Sequence, residues 1–476
     1  MVLVAQVNKS IKYNVPTEVA QGVFRTYDIR GPVAEDGINV SMAYALGLAF
    51  GSQVLANGET EAVVGRDGRL TGEEITDALI SGLLDVGCSV VNVGMVPTPL
   101  VYFATKTLSA NSGIMVTASH NPGHHNGFKL VLAGQTLSTE GVQLLYQQIC
   151  QQEWQIAKVK GQLEYFDILT PYKSYVVEHV KLEKPLKVVV DCGNGVAGVL
   201  VPDLYRALGC EVVELHCTVD GNFPNHHPDP TITENLQDII NAVSEHKADI
   251  GLAFDGDGDR LGVITSQGDI IWPDRQLLFF AREVLAEHPG SKIIFDVKCT
   301  HNLPRMITAW GGKPIMNKTG HSLIKKRMLE EGAPFAGEMS GHIFFNDEWF
   351  GFDDGAYVGA RALRILAAQN KTSHDLFLSL PDSFNTPELK LPMAEDRKAN
   401  FMASLINDSN FGDADKITID GLRVDFGESW GLVRPSNTSA YLVIRFEANT
   451  AEELNAVQEC FRRELLHIDA NLVLPF

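Results

Sequence analysis

The chain predicts an α/β fold built from four units, and three observations carry that prediction. An apolar strand, a glycine- or charge-rich loop and a helical period recur in that order. The pattern appears at Ala62-Val63-Val64 before Gly65-Arg66-Asp67-Gly68-Arg69, at Lys187-Val188-Val189-Val190 before Asp191-Cys192-Gly193-Asn194-Gly195, and at Ile293-Ile294-Phe295 before Asp296-Val297-Lys298. Strands alternating with helices argue for layered α/β units. The length, 476 residues, exceeds what one core supports and suggests roughly three or four domains. A hydrophobic content of 45% leaves ample apolar material for those cores.

Each element has its own signal. Thr71 with Glu74 predicts a capping box before the apolar face Ile75, Ala78, Leu79, Gly82, Leu83 and Val86. Thr231 with Glu234 predicts another before Leu236, Ile239, Ile240 and Val243, and Thr450 with Glu453 a third before Leu454, Val457, Phe461 and Leu465. The polar stretches Gln151 to Lys160 and Tyr172 to Pro185 separate the first unit from the strand at Lys187. Ile271-Trp272-Pro273-Asp274 reads as a turn into a new unit, and Pro381 to Pro387 as a linker. The expected units are 1–165, 166–269, 270–381 and 382–476, the first three alike in pattern and the last α+β.

Charge and cysteine usage narrow the function. A net charge of −20 and a pI near 5.1 argue against nucleic acid or an anionic membrane as partner. Any anion site must then be a local basic pocket. The seven scattered cysteines include no Cys-x-x-Cys pair, which fits reduced thiols and a cytoplasmic location. Met1 to Lys12 shows no signal-peptide pattern, and no run of 18 apolar residues exists.

Four loops carry chemistry. The run Gly113-Ile114-Met115-Val116-Thr117-Ala118 stops at Ser119-His120-Asn121-Pro122. Pro122 forbids a continuing central strand, so a hydroxyl is left in a loop beside an imidazole, the way a nucleophile or phosphate carrier is displayed. An ordinary polar turn has the same composition. Asp255, Asp257 and Asp259 alternate with glycine after the strand Ile250-Gly251-Leu252-Ala253-Phe254. Three crowded carboxylates repel unless a divalent cation neutralises them. An EF-hand fails, because its sixth and twelfth positions would be Arg260 and Ser266, and the flanks are strands. Oxygen-only ligands favour Mg²⁺ or Mn²⁺ over zinc, and Arg260 sits where a phosphate clamp would; a solvated acidic turn is the alternative. Gly337-Glu338-Met339-Ser340-Gly341-His342 offers a carboxylate, a hydroxyl and an imidazole for sugar hydroxyls and proton movement. Taken alone, His342 reads as a structural histidine. Arg434-Pro435-Ser436-Asn437-Thr438-Ser439 offers a guanidinium, hydroxyls and an amide suited to a phosphate dianion, or else a polar hairpin turn.

These four loops, in this order, resemble the α-D-phosphohexomutase family, nearest its bacterial phosphomannomutase/phosphoglucomutase branch. The resemblance runs from Phe24-Arg25-Thr26-Tyr27-Asp28-Ile29-Arg30-Gly31 to the end of the chain. It implies four domains around a central cleft, each donating one loop. Ser119 would be the phosphoserine, and Asp255, Asp257 and Asp259 would hold one Mg²⁺ together with a phosphoserine oxygen, flanked by His120 and Arg260. Glu338 and Ser340 would bind sugar hydroxyls. Arg434, Ser436, Asn437 and Thr438 would hold the phosphate that is not transferred. Lys129 matches a lysine beside the phosphoserine, while Tyr27, Arg30, Lys298 and His321 match active-site positions. Lys129, Arg30 and His342 are the candidates for acid/base work, unranked.

The implied reaction interconverts hexose 1-phosphate and hexose 6-phosphate, of mannose or glucose, through a hexose 1,6-bisphosphate. Phosphoryl transfer needs charge neutralisation, which Mg²⁺, Arg260 and Lys129 would supply. The Arg-Pro-Ser-Asn form of the last loop points away from a phosphoglucosamine mutase. A metal-dependent sugar-phosphate phosphatase would share the serine and the metal without needing the late clamp, and a non-catalytic binding protein would not need the serine. Gly123-His124-His125 and Ser439-Ala440 depart from the family pattern, and the role of His124 and His125 is open. The sequence is silent on oligomeric state, with a monomer as the working expectation.

Overall fold

In the computed structural model, residues 13–16, 18–436 and 440–476 are described. The reading of Met1 to Lys12 therefore lies outside the described residues. The chain divides into two compact units, residues 1–276 with 340–377, and residues 277–339 with 378–476.

The first unit holds two mixed sheets. One runs Ile29–Pro32, His125–Leu132, Gly113–Val116, Glu61–Arg66, Ser89–Met95 and Leu163–Tyr165 in spatial order. Its centre is parallel, because Glu61–Arg66 lies between Gly113–Val116 and Ser89–Met95 in the same direction. The two strands on the other side, His125–Leu132 and Ile29–Pro32, are antiparallel to their neighbours. All four residues of Gly113–Val116 are buried, as a continuous apolar run in a covered sheet requires. The helices Val40–Ala56 and Gly72–Asp85 pack closely on each other. A Cβ at Gly47 would stand 2.2 Å from the Leu79 carbonyl oxygen, so only glycine permits that crossing.

The second sheet runs Ile270–Ile271, Leu261–Thr265, Ile250–Phe254, Lys187–Asp191 and Glu211–Leu215. Its last three strands are parallel, while Leu261–Thr265 turns back antiparallel on Ile250–Phe254. Every residue of that hairpin's two strands is buried, and its connection is the acidic run 255–260.

The second unit contains parallel strands in the order Lys313–Asn317, Lys292–Asp296 and Phe335–Gly337. It also contains an antiparallel sheet whose main path is Phe384–Asn385, Tyr441–Ala448, Ser429–Pro435, Leu422–Asp425 and Asp415–Ile417. The helices Glu395–Asp408 and Ala451–Ile468 supply Phe401, Leu405, Val457, Phe461 and Leu465 to the core over this sheet. In both units, flagged loops leave the carboxyl ends of parallel strands, where open α/β sheets place their ligands. Among the described residues no helix is long and apolar enough to cross a membrane.

Several local expectations need correction. Only Thr450 with Glu453 forms a capping box. Thr71 is already in αR geometry and makes no side-chain cap, since its hydroxyl accepts from Asn126 Nδ2 at 3.1 Å. Thr231 lies outside the helix altogether. Its hydroxyl donates to Asp229 at 2.7 Å, and a short 3₁₀ turn, Thr233–Leu236, begins the segment. The polar stretch after Tyr172 is mostly the helix Leu169–His179, whose Tyr172 and Val176 are buried. Within the expected linker Pro381 to Pro387, Phe384–Asn385 is paired into the antiparallel sheet. The turn at 271–274 opens directly into the helix Pro273–Glu287.

Candidate active site

The nucleophile loop follows the buried strand Gly113–Val116 and is over-determined by hydrogen bonds. Ser119 has φ of +52°, a conformation that costs a non-glycine residue of order 1–3 kcal/mol unless its surroundings hold it. Its N–H donates to Thr117 Oγ1 at 2.8 Å, and Thr117 donates in turn to Asp67 at 2.7 Å. Arg69 then gathers the loop. Its guanidinium donates to the carbonyl oxygens of Ser119 (2.8 Å), Asn121 (2.6 Å), Pro122 (2.7 Å) and His125 (2.9 Å). Asp67 fixes Arg69 by accepting from its Nε at 3.2 Å. Sequence reasoning missed Arg69 as a site residue, although the charged loop at 65–69 was visible as a break after a strand. The hydroxyl is also not exposed, because Ser119 is only 3% accessible.

The acidic hairpin meets this loop. Gly256 makes the approach possible, since a Cβ there would stand 2.4 Å from the Ser119 carbonyl oxygen. Ser119 Oγ donates to Asp255 Oδ2 at 3.0 Å and lies 3.1 Å from His120 Nδ1. Asp255, Asp257 and Asp259 are buried, each with an oxygen within 4.8 Å of the others'. Arg260 Nε holds Asp255 Oδ2 at 2.9 Å, and its guanidinium reaches Asp229 at 3.6 Å and donates to the Ser340 carbonyl at 3.3 Å. Lys129 Nζ donates to Asp257 Oδ2 at 2.6 Å and also pairs with Asp259. Thr98 Oγ1 donates to Asp257 Oδ2 at 2.6 Å.

The electrostatics of this nest are unbalanced. Burial, with the charges of Asp257 and Asp259, pushes Asp255 up to about 7. Burial and Asp257 do the same to Asp259, also to about 7. Burial opposes ionisation of Asp257 as well, but the Lys129 ammonium holds it well below the usual carboxylate range. Burial and Arg260 keep the His120 imidazole below its ordinary value, hence neutral. Asp257 Oδ1 and Asp259 Oδ1 are buried and accept no hydrogen bond. Buried, unsatisfied carboxylate oxygens facing one another are the donor set a hard divalent cation completes.

His342 lies in the same unit, with Nδ1 2.9 Å from Asp353 Oδ2 and 3.7 Å from Asp259 Oδ1. Arg30 donates to Asn121 Oδ1 at 3.1 Å and pairs with the buried Asp28. Tyr27 is half-buried. The rings of His124 and His125 are in tilted contact, 4.4 Å between centroids. The first unit thus brings together Ser119, His120, Lys129, Arg260, the three aspartates, Ser340 and His342, with Arg30 attached through the nucleophile loop. Thr98, Asp229 and Asp353 join them. None of these three carried a sequence signal, because each is a single residue whose partner is distant in the chain.

The second unit gathers the remaining candidates. Lys298 Nζ contacts Glu388 Oε1 at 2.5 Å and Asp296 at 3.9 Å. Burial works against its charge, but Glu388 and Asp296 hold the ammonium above its ordinary value. Arg434 Nε donates to Asp420 Oδ2 at 3.0 Å, an oxygen that also accepts from the Thr319 N–H at 3.0 Å. Thr319 Oγ1 donates to Asp296 at 3.0 Å. Glu338, 1% accessible, accepts from the Gly320 N–H just before the buried His321 that begins the helix His321–Glu331. The Ser436 carbonyl accepts from Lys398 Nζ at 2.9 Å. Asn437 and Thr438 lie outside the described residues. Glu388 and Asp420 were missed, each being a lone acid outside every motif the sequence singles out.

Comparison with known proteins gives this geometry a family. Four models of the phosphoglucomutase/phosphomannomutase family match in order: alpha/beta/alpha domain I over residues 21–155, domain II over 164–268, domain III over 272–384 and the C-terminal domain over 387–464. A phosphomannomutase/phosphoglucomutase of Pseudomonas aeruginosa is 52% identical over 454 residues, covering 95% of this chain and 97% of its own length. A phosphoglucomutase of Neisseria meningitidis is 47% identical over 459 residues, covering 96% and 99%. The crystal structure of a phosphoglucomutase/phosphomannomutase family protein from Burkholderia thailandensis superposes with a TM-score of 0.92 at 49% identity, covering 96% of this chain and all of that one. The chain belongs to the phosphoglucomutase/phosphomannomutase family.

Proposed function

We propose that this enzyme interconverts hexose 1-phosphates and hexose 6-phosphates through a phosphorylated Ser119 and a hexose 1,6-bisphosphate. The observation that carries this reading is the seating of Ser119 Oγ, 3.0 Å from Asp255 in a buried nest with Lys129 and Arg260. The relatives named phosphomannomutase/phosphoglucomutase and phosphoglucomutase support the substrate class. Asp255, Asp257 and Asp259 would hold one Mg²⁺, which when bound neutralises the carboxylates and draws charge from a phosphoryl oxygen. Arg69 holds the loop in the one conformation that presents the hydroxyl. Arg260 and Lys129 steady the acids and offset charge on the transferring group. His342, oriented by Asp353, is the residue best placed in the first unit to move a proton at the sugar oxygen. Glu338 and Ser340 are assigned to sugar hydroxyls, and Tyr27, Lys298 and His321 to substrate binding. Arg434, Ser436, Asn437 and Thr438 are assigned to the phosphate that stays in place. The domain bounds 1–165, 166–269, 270–381 and 382–476 are retained as part of this reading.

A mutase requires that the bisphosphate formed by transfer from Ser119 turn over and return a phosphoryl group to the same serine. Intact-mass analysis of the purified protein tests this. One additional phosphate mapped to Ser119 is expected, as is isomerised product without release of inorganic phosphate. Steady release of free phosphate from glucose 1-phosphate would instead identify a phosphatase.

A further inference from the structure

The loop 191–195 has no part in the chemistry above, yet it begins with a buried carboxylate. Asp191, 1% accessible, ends the strand Lys187–Asp191. Its Oδ1 accepts the Gly193 N–H at 2.9 Å, and its Oδ2 lies 3.0 Å from His226 Nε2. Leu215, in register with Asp191 on the neighbouring parallel strand, is followed by His216 at φ of +49°. One donor atom from each of Asp191, His216 and His226 lies within 4.8 Å of the others. Asp238 Oδ2 stands 3.0 Å from His216 Nε2 and orients that ring.

The hydrogen bonds of His226 demand a cation beside Asp191. Its Nδ1 lies 3.0 Å from the His227 carbonyl oxygen, which only accepts, so Nδ1 must carry the hydrogen. A neutral ring would then aim its Nε2 lone pair at a carboxylate oxygen. Nε2 and Asp191 must therefore share a cation, which is either a proton or a metal ion. A metal-bound histidine shows the same arrangement, with one nitrogen on the ion and the other N–H on a backbone carbonyl. Two imidazoles with a carboxylate suit a borderline-soft ion far better than Mg²⁺.

We propose that Asp191, His216 and His226 form a second cation site for a transition metal of the Zn²⁺ class, distinct from the oxygen-only nest at 255–259. Its role is structural. The segment after His226 contains Pro228, whose carbonyl accepts the Gly256 N–H at 3.1 Å, and Asp229, which pairs with Arg260. An ion at His226 therefore pins the loop that braces the acidic hairpin.

The test is a Co²⁺ titration of the full chain in excess Mg²⁺, read by visible absorption. Nitrogen-ligated Co²⁺ of low coordination number absorbs strongly, whereas Co²⁺ among oxygens absorbs weakly. One strongly absorbing Co²⁺ per chain is expected, lost in His226→Gln and bound at least ~10-fold more weakly in His216→Gln. Zn²⁺ in excess Mg²⁺ should raise the Tm of the wild type, raise that of His216→Gln less at equal Zn²⁺, and leave that of His226→Gln unchanged. If His226→Gln does not fold, His216→Gln carries the test, because His216 lies outside the 226–229 segment that braces the acidic hairpin. Absence of the band in wild type, or its persistence in both variants, overturns the proposal. So do near-ultraviolet thiolate bands, which would assign the ion to Cys192 and Cys217, whose sulfurs lie 3.5 Å apart.

Discussion

Two groups of buried cations and carboxylates sit in this chain, and they are built in opposite ways. In the first unit, Lys129 and Arg260 face three aspartates and Asp229, and two carboxylate oxygens accept no hydrogen bond. In the second, Lys298 meets Glu388 and Asp296, and Arg434 meets Asp420. The first group has more acid than its bases neutralise, and burial together with this excess drives Asp255 and Asp259 up to about 7. The second offers one or two acids to each base. An excess of buried carboxylate calls for a cation, whereas a base already held by an acid is aimed and desolvated, ready to exchange that acid for a phosphate oxygen. The difference separates a metal site from an anion site without reference to any ligand.

The largest effects should come from the first group. Chelation should abolish turnover and Mg²⁺ restore it. Asp257→Asn should raise the Mg²⁺ concentration needed, because it removes a ligand charge and one partner of Lys129. Chelated enzyme turning over at the normal rate would remove the metal from the comparison. Ser119→Ala should lower the rate by at least ~10³, the scale of a lost covalent nucleophile. The bound phosphate should vanish from the intact mass. Near-wild-type turnover in Ser119→Ala would end the covalent role.

A smaller effect is expected at the second group. Arg434→Ala should raise KM for glucose 1-phosphate and mannose 1-phosphate alike, by roughly 1.5–3 kcal/mol in binding, the range of a hydrogen bond to a charged group. The phosphate, and not the C2 hydroxyl, is what a guanidinium reads. Steady-state kinetics on both sugars checks this, and an unchanged KM for both would make Arg434 a structural partner of Asp420.

How much of this was legible in the sequence depended on whether chemistry was local. The Ser119 loop and the run 255–260 were readable because strand, break and functional groups are contiguous. Lys129 was visible only through family resemblance, whereas Arg434 could be read from the guanidinium and hydroxyls of its own loop. Arg69, Thr98, Asp229 and Asp353 were not visible, since each acts on a partner set by topology: Thr98 reaches Asp257 across 159 residues of sequence. Exposure was misjudged for the same reason. Ser119 looked like a displayed loop hydroxyl, but Arg69 folds the loop inward and buries it. Sequence spacing also over-called local structure, since three Thr-x-x-Glu motifs look alike and only one forms a capping box.

That last contrast gives the smallest prediction and separates the two units at the level of a single turn. In the second unit, the Thr450 hydroxyl accepts from the Glu453 N–H at 3.2 Å while the Glu453 carboxylate accepts from the Thr450 N–H at 3.1 Å. In the first unit, Thr71 is committed to Asn126, and Glu74 has no cap to complete. Thr450→Ala should therefore destabilise the start of the helix Ala451–Ile468 by ~1 kcal/mol. The double variant with Glu453→Ala should cost less than the two single changes added together, because each residue works through the other. Thr71→Ala and Glu74→Ala should be additive within ~0.3–0.5 kcal/mol, as independent sites are. Native-state hydrogen exchange of the first-turn amides reads both cycles locally, so unfolding of a multidomain chain need not be two-state. Coupling at 71 and 74 as large as that at 450 and 453 would show that Thr71 caps its helix after all, and the assignment of its hydroxyl to Asn126 would fall.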